Sequence, residues 1–272
     1  MELLKKNGFE VIQYQGDKVM TAEEIKAVSS DICGAIVGCE TWNEDIFEAS
    51  PNLKVLARFG IGVECIDLEA AKKHGVKVCN ARGMNCDSVG EATIMFALAS
   101  LRNLVGLTNS TREGMWERYT GNTLKGKTYG LLGFGAIAQY VAKLLQSFDV
   151  GRIIAYDVIK NEEVAKKYNV EFVDFETLVK EADILSLHIP NLPETVNMID
   201  EEELRAMKES AVLINVARGP IVNQEALYKA LKEHWIAGAA VDVFTEEPVP
   251  KENPLLSLKN FDLYATPGSR YI

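Results

Sequence analysis

The 272-residue sequence predicts an α/β protein with two parallel sheets, a larger and a smaller one, covered by helices. Three observations lead to this prediction. Short apolar and β-branched runs alternate with helical patterns along the chain. The alternation breaks once, where two helices follow each other without a strand between them. A glycine-rich turn then separates a strand from a helix, which is typical of a doubly wound sheet.

The strands are predicted from short runs that are rich in valine, isoleucine and leucine. In the first part of the chain they are Glu10–Tyr14, Cys33–Val37, Lys54–Arg58 and Val76–Asn80. In the second part they are Thr128–Leu132, Arg152–Tyr156, Val170–Val173, Asp183–His188, Ala211–Val216, Ala237–Val243 and Asp262–Ala265.

Helical segments fall between these strands. Thr21 with Glu24, and Asp200 with Glu203, have the spacing of capping boxes that open two of the helices. The uninterrupted helical pair is predicted over Asp87–Asn103 and Leu107–Glu117. Such a connection is a natural domain boundary, so we predict a hinge near residues 84–88. The expected domains are residues 1–86 and 87–265, followed by a short return segment, residues 266–272.

Composition and charge argue against several classes of protein. The formal net charge is −10, and an acidic surface repels phosphate backbones, so no nucleic-acid partner is expected. The longest apolar run, Ala92–Leu101, is too short to span a bilayer. The first residues lack the apolar core of a signal peptide. We therefore expect a cytoplasmic protein with no membrane partner.

The five cysteines form no C-x-x-C pair, and we expect reduced, mostly buried thiols as in a cytosolic protein. The three histidines, His74, His188 and His234, share no ligand spacing with the cysteines. No metal site is therefore predicted.

The glycine-rich turn has the pattern of a dinucleotide site. The strand TYGLL runs into Gly133-Phe134-Gly135-Ala136-Ile137-Ala138, where a helix begins. Gly133 would permit the tight turn, Gly135 would let the backbone approach a pyrophosphate, and Ala138 is small enough for close helix–strand packing. Asp157 ends the next strand, 19 positions beyond Ala138, where it can bind ribose hydroxyls. Its charge would repel a 2′-phosphate, so the pattern predicts a Rossmann domain that binds NAD rather than NADP.

Three other segments follow predicted strands: Asn215–Gly219, Asp242–Pro248 and Arg58–Val63. Open α/β sheets bind ligands beyond the carboxyl ends of their strands, so these segments are candidate parts of a substrate site.

These segments resemble the D-isomer-specific 2-hydroxyacid dehydrogenase family, and within it most of all the phosphoglycerate dehydrogenase branch. The resemblance covers Leu53 to Pro267. It is carried by ARFGIGVECIDLEAAKKHGVKVCN, GMWERYTGNTLKGKTYGLLGFGAIA, SLHIPNLPETVNMID, NVARGPIVNQEAL and AGAAVDVFTEEP. It implies an NAD-binding Rossmann domain and a smaller, flavodoxin-like substrate domain. The implied reaction interconverts a D-2-hydroxy acid and a 2-oxo acid, with phosphoglycerate as the first substrate to consider and glycerate, lactate and related acids open.

The resemblance also implies roles for individual residues. Arg218 would bind the substrate carboxylate, for which a planar guanidinium is suited. Glu247 would be the acidic partner of a catalytic histidine. Without the family context, a surface ion pair for Arg218 and a solvated acidic loop for Glu247 are the alternatives.

Further roles concern the substrate loop and the cofactor. The loop Gly60, Ile61 and Gly62 would offer backbone amides to the carboxylate. Arg58 would meet a substrate phosphate or form a structural salt bridge. The implied cofactor contacts are Ala136 and Ile137 at the pyrophosphate turn, and Ile189, Val216, Ala217 and Asp242 around the nicotinamide. His188 is expected to be structural or to lie at the cofactor rim.

The sequence departs from the family pattern near its end. The family has a T-P-H-I-G type motif after the last strand, whereas this chain reads Thr266-Pro267-Gly268-Ser269 without the catalytic histidine. The family's first strand and C-terminal helix are also missing, so we expect a truncated substrate domain. Three explanations stay open. The chain is an incomplete or altered enzyme, or residues have been omitted from the sequence without a break in the numbering, or it is a non-catalytic NAD-binding relative that acts as a sensor or scaffold. The presence of Arg218 and Glu247 favours an enzyme.

The helical pair over residues 87–117 resembles the dimerisation arm of the family. This resemblance implies a homodimer.

Overall fold

The computed structural model describes residues 2–16 and 18–263, and the chain divides into two compact units. The small unit is Met1–Arg82 and the large unit is Gly83–Ile272. The division lies immediately before the predicted hinge at residues 84–88. The predicted return segment, 266–272, and the end of the last predicted strand lie outside the described residues.

The small unit is built around a parallel sheet. Its elements are α1 (Glu2–Lys6), α2 (Ala22–Ser29), β1 (Gly34–Val37), α3 (Glu44–Glu48), β2 (Val55–Arg58), α4 (Leu68–Lys73) and β3 (Lys77–Asn80). Within the described part of this unit the strand order is β1-β2-β3, and Val37, Arg58 and Asn80 are in register at the carboxyl edge. Trp42 and Phe47 pack in the core of the unit with ring centroids 5.7 Å apart.

The prediction of a strand over Glu10–Tyr14 is wrong. These residues form no regular element, and the side chains of Ile12 and Tyr14 are exposed. An alternating apolar pattern forms a strand only where a neighbouring strand accepts its hydrogen bonds and a core accepts its apolar face. The described residues provide neither for this segment.

The large unit contains the longer sheet. Its elements are α5 (Cys86–Leu101), α6 (Leu104–Arg112), β4 (Thr128–Leu132), α7 (Ala136–Leu145), β5 (Arg152–Tyr156), α8 (Glu162–Lys167), β6 (Val170–Phe172), α9 (Phe175–Glu181), β7 (Ile184–Leu187), α10 (Glu201–Ala206), β8 (Val212–Asn215), α11 (Gln224–Lys232), β9 (Gly238–Val241) and β10 (Phe261–Leu263). The described strands are all parallel, in the order β6-β5-β4-β7-β8-β9-β10. This is the order of a doubly wound Rossmann sheet. The predicted fold class, a Rossmann sheet with a smaller parallel sheet, is confirmed.

Helices cover both faces of the large sheet. Ala97 of α5 and Val141 of α7 belong to the core on one face, whereas Leu178 of α9 and Leu227 of α11 belong to the core on the other. Strands β7, β8 and β9 are therefore buried along their whole length, as expected for parallel strands covered on both sides.

The capping boxes in the sequence correctly predicted where two helices begin. The capping box of Thr21 and Glu24 is present, with the Thr21 N–H 2.8 Å from Glu24 Oε2. The Asp200–Glu203 box is also present, with the Asp200 N–H 3.0 Å from Glu203 Oε2. The second helix of the uninterrupted pair begins earlier than predicted, at Leu104. It also ends earlier, because Gly114 at φ +79° follows its C-cap.

The expected burial of the cysteines is wrong. Cys33, Cys39 and Cys79 are exposed, and Cys65 and Cys86 are partly exposed. Most of them lie in the small sheet or in the loops near it. The strands of the small sheet are less buried than those of the large sheet. Across residues 2–16 and 18–263, no helix is long and apolar enough to cross a bilayer. No group of metal-ligating side chains is found over the same residues.

Candidate functional site

The glycine turn between β4 and α7 requires its first glycine. Gly133 has φ +91°, and its N–H donates to the Tyr156 carbonyl at 2.8 Å. A Cβ at this position would lie 2.8 Å from the His188 carbonyl oxygen. A side chain would therefore clash with the backbone that follows β7, in a conformation that only glycine adopts easily.

The second glycine has a different role. Gly135 is the N-cap of α7 with φ −74°, and a Cβ there would meet nothing within 4 Å. Ala136 and Ile137 form the first turn of α7, where helix N–H groups lack partners within the helix. Ala138 is fully buried. The mouth of this turn is therefore open, with backbone donors at a helix start, which suits a phosphate anion.

Asp157 lies directly beside the turn. Its Oδ2 accepts a hydrogen bond from the Phe134 N–H at 2.6 Å, and its Oδ1 accepts one from the Ile159 N–H at 2.8 Å. Val158 and Ile159 are both exposed. A carboxylate one strand away from an open glycine turn fits the ribose and pyrophosphate of a dinucleotide.

The remaining predicted cofactor residues follow other strands of the same sheet. Ile189 follows β7, and its Cγ2 would be 2.8 Å from a Cβ at Gly133. Val216 and Ala217 follow β8 and are buried, and Asp242 follows β9. Because the strands are parallel, these residues all lie at the carboxyl edge of the sheet. At this edge β4 lies between β5 and β7, and this position is the switch point of the sheet.

The Arg218 loop follows β8 and turns back sharply. Arg218 Nη1 donates to the Ala217 carbonyl at 2.7 Å. The next residue, Gly219, begins a short 3-10 turn, and a Cβ on it would lie 2.0 Å from the Phe244 carbonyl carbon. The backbones of the loops after β8 and β9 are thus in direct contact.

Glu247 closes the loop after β9. Its Oε1 accepts a hydrogen bond from the Phe244 N–H at 2.9 Å. The Glu247 carboxylate is therefore bonded within its own loop, close to the Phe244 backbone that Gly219 contacts.

In the small unit, Arg58 folds back onto its own loop. Its guanidinium contacts the Phe59 carbonyl, and its Nη2 lies 3.6 Å from Cys39 Sγ. Gly60 has φ +145°, and a Cβ there would lie 2.7 Å from Arg58 Nη1. The Gly60 N–H donates to the Arg58 carbonyl at 3.0 Å, and the Ile61 carbonyl accepts from Asn80 Nδ2 at 2.7 Å. The loop that ends at Gly62 is therefore bonded both to its own backbone and to Asn80 of β3, and the Gly60 amide already has an acceptor.

The three histidines occupy different environments. His188 follows β7, and its Nε2 lies 2.8 Å from Ser186 Oγ. Burial lowers the pKa of His188 to about 3, so its ring is neutral at physiological pH. His74 pairs with Glu44 in the small unit, and His234 lies beyond α11 in a left-handed conformation. Sequence reasoning named Asn215 only as part of a motif, although its buried side chain proves central to the Arg218 loop.

Comparison with known proteins adds to this geometry. Residues 94–267 match the model of the D-isomer specific 2-hydroxyacid dehydrogenase NAD-binding domain, and residues 1–132 match that of the catalytic domain of the same family. This chain belongs to the D-isomer specific 2-hydroxyacid dehydrogenase family. The predicted family is therefore confirmed.

Relatives within the D-isomer specific 2-hydroxyacid dehydrogenase family carry two kinds of name. A glyoxylate reductase of Thermofilum pendens is 45% identical over 223 residues, which are 79% of this chain and 66% of that protein. A D-3-phosphoglycerate dehydrogenase of Methanocaldococcus jannaschii is 42% identical over 246 residues, 89% of this chain and 46% of that protein. The chain thus spans about half to two-thirds of the length of these relatives.

A solved structure supports the fold. The TT0316 protein of Thermus thermophilus matches with a TM-score of 0.88 and 33% identity, over 96% of this chain and 84% of that one. The large unit contains most of the residues that match the family's NAD-binding domain.

Proposed function

We propose that this protein is an NAD-dependent oxidoreductase that interconverts a D-2-hydroxy acid and a 2-oxo acid. The observation that carries the proposal is the Asp157 carboxylate beside the open Gly133–Gly135 turn, 2.6 Å from the Phe134 amide nitrogen. Family membership supplies the reaction class.

The cofactor would be held by the carboxyl edge of the large sheet. Gly133 would shape the turn, Gly135, Ala136 and Ile137 would offer backbone N–H groups to the pyrophosphate, and Asp157 would accept hydrogen bonds from ribose hydroxyls. The proposed contacts at the nicotinamide end are Ile189, Val216, Ala217 and Asp242. A bound nicotinamide supplies hydride chemistry to the site.

The preference for NAD over NADP follows from the charge of Asp157. A 2′-phosphate placed beside this carboxylate would be repelled, and its exposed neighbours Val158 and Ile159 carry no compensating charge.

Arg218 and Glu247 are the proposed substrate-side residues of the large unit. The Arg218 guanidinium would bind the substrate carboxylate in a bidentate pair and orient the carbon that exchanges a hydride. Glu247 would be the acidic partner of a proton-transferring histidine, which the sequence does not carry at the family's position after Pro267. In the small unit, the loop Gly60, Ile61 and Gly62 would bind an anionic substrate group, with Arg58 next to it.

For the substrate, we propose a short, unphosphorylated 2-oxo acid such as glyoxylate ahead of phosphoglycerate. Arg58 is the cation that the sequence suggested for a phosphate, but its guanidinium contacts Phe59 and Cys39 of its own unit. The names of the relatives allow both classes of substrate.

A second candidate function is NAD binding without turnover. The bonding of the His188 ring to Ser186, with its lowered pKa, and the pairing of His74 with Glu44 favour it, because neither ring is then available as a mobile proton donor. Both candidates share the cofactor site and differ only in chemistry.

A titration with NADH tests the cofactor proposal, with the quenching of protein fluorescence as readout. We expect NADH to bind at least about tenfold more tightly than NADPH, since that ratio corresponds to about 1.4 kcal/mol of charge repulsion. The Asp157→Ser variant should lose most of this preference, whereas Asp174→Ser, which removes a helix N-cap carboxylate elsewhere in the unit, should keep it. Equal binding of the two nucleotides by the unaltered chain would contradict NAD specificity.

Oxidation of bound NADH tests the reaction. Glyoxylate, hydroxypyruvate, pyruvate and 3-phosphohydroxypyruvate are added in turn while the absorbance of NADH is followed. We expect the fastest oxidation with glyoxylate. Binding of NADH without oxidation by any of the four acids would support the second candidate, and preference for the phosphorylated acid would overturn the substrate proposal.

A further inference from the structure

One buried polar side chain of the large unit has no part in the function proposed above. Asn215 is the last residue of β8, and only 1% of it is exposed. It is paired with Leu187 of β7 on one side and Val241 of β9 on the other. A carboxamide buried between two strands is costly unless its donor and acceptor are both bonded.

Both partners of this carboxamide lie in the loop that carries Arg218. Asn215 Nδ2 donates to the Arg218 carbonyl at 2.9 Å, and Asn215 Oδ1 accepts from the Ala217 N–H at 3.1 Å. Its backbone carbonyl also accepts from the Asp242 N–H at 3.3 Å, which ties β8 to the loop after β9. The side chain therefore fixes the peptide group that follows the Arg218 Cα and the peptide group that precedes the Ala217 Cα.

The other side of the loop is fixed by close backbone contact. A Cβ on Gly219 would lie 2.0 Å from the Phe244 carbonyl carbon and 2.4 Å from the Thr245 nitrogen, so no side chain fits there. The Phe244 N–H is in turn bonded to Glu247. Arg218 thus lies in a short segment that is bonded to the buried Asn215 carboxamide on one side and packed against the loop after β9 on the other.

We propose that Asn215 is a positioning residue, whose carboxamide sets the direction of the Arg218 side chain toward the substrate carboxylate. The proposal rests on the function proposed above for Arg218. Both halves of the carboxamide are needed, because the donor faces a carbonyl and the acceptor faces an N–H. Asparagine satisfies both partners, whereas aspartate of nearly the same size would place a carboxylate oxygen against the Arg218 carbonyl.

The test compares Asn215→Asp with the unaltered protein. The probe is oxamate, a stable analogue of a 2-oxo acid, titrated into the complex with NADH while NADH fluorescence is followed. We expect the dissociation constant of oxamate to rise at least about tenfold, because a misdirected guanidinium loses a charge-assisted hydrogen bond to the oxamate carboxylate. Asn260→Asp is the matched control, because Asn260 Nδ2 also bonds a backbone carbonyl, that of Leu231 at 3.1 Å, just before β10 begins.

A double-mutant cycle separates positioning from a general structural effect. In the Arg218→Ala background, Asn215→Asp should change oxamate affinity by less than about twofold, because the residue that it orients is gone. If Asn215→Asp fails to fold, Asn215→Ser, which keeps a small hydroxyl, is carried through the same cycle. An equal loss in both backgrounds would overturn the proposal.

The outcome also distinguishes this inference from the proposed function. If the unaltered protein binds neither NADH nor oxamate, the proposed function fails and the inference fails with it. If the unaltered protein binds both and Asn215→Asp binds oxamate equally well, only the inference fails.

Discussion

At the scale of the residue, Asp262 is a partly buried acid whose protonation affects stability. Its Oδ2 accepts a hydrogen bond from Ser100 Oγ of α5 at 2.8 Å. Burial raises the pKa of Asp262 more than this bond lowers it. The folded chain therefore holds this proton more tightly than the unfolded chain does. As pH rises from the unfolded pKa of about 3.9 through the higher folded pKa, stability is lost.

Replacing Asp262 with asparagine should therefore stabilise the protein at neutral pH, by less than about 1 kcal/mol because the side chain is only partly buried. Asparagine keeps an acceptor for Ser100 and carries no charge. Thermal unfolding of Asp262→Asn and of the unaltered chain, measured from pH 4 to 8, checks this. The difference in Tm should shrink toward the acidic end. The exposed Asp31→Asn serves as control, and a difference independent of pH would contradict the assignment to Asp262.

At the scale of the element, the turn between β4 and α7 contains two glycines with different roles. Gly133 is required by the backbone structure, whereas Gly135 is proposed to face the cofactor. Gly133→Ala forces a side chain into φ +91° and against the His188 carbonyl, so it should cost about 1–3 kcal/mol of unfolding free energy. Gly135→Ala meets no neighbour and has an ordinary φ, so its stability should stay within about 0.5 kcal/mol of the unaltered chain.

The binding of NADH should also differ between the Gly133→Ala and Gly135→Ala variants. A methyl group at Gly135 would stand where the pyrophosphate approaches, so the NADH dissociation constant of Gly135→Ala should rise at least about tenfold. Thermal unfolding and NADH titration of the two variants check this. Normal NADH affinity in a folded Gly135→Ala variant would mean that the phosphates do not approach this backbone.

The elements also show what the sequence could and could not predict. The buried strands of the large sheet were predicted to within a few residues, because runs such as Thr128–Leu132 are apolar on both faces. Glu10–Tyr14 has the same local propensity but no partner strand in the described structure, and propensity alone does not supply one. Asp157 could be predicted from spacing, whereas the role of Asn215 depends on where the chain returns after β8, which spacing does not define.

At the scale of the whole molecule, one exposed apolar segment of the large unit bears on assembly. The segment around α6 exposes apolar side chains: Leu104 is 56% exposed, Val105 46% and Trp116 86%. Large exposed apolar patches often mark protein–protein interaction sites. This segment is the one that resembles the dimerisation arm of the family.

We therefore expect a homodimer in which this segment of each subunit is covered by the partner, since a two-fold interface uses the same surface twice. Sedimentation at micromolar concentration should give twice the chain mass of 30.1 kDa. Val105→Lys places a charge in that face and should shift the protein to monomer, because a charge buried without a partner is costly. Val158→Lys, at a position 85% exposed elsewhere in the large unit, should leave the dimer intact. A monomer from the unaltered chain, or dissociation by both variants alike, would show that this face is not the interface.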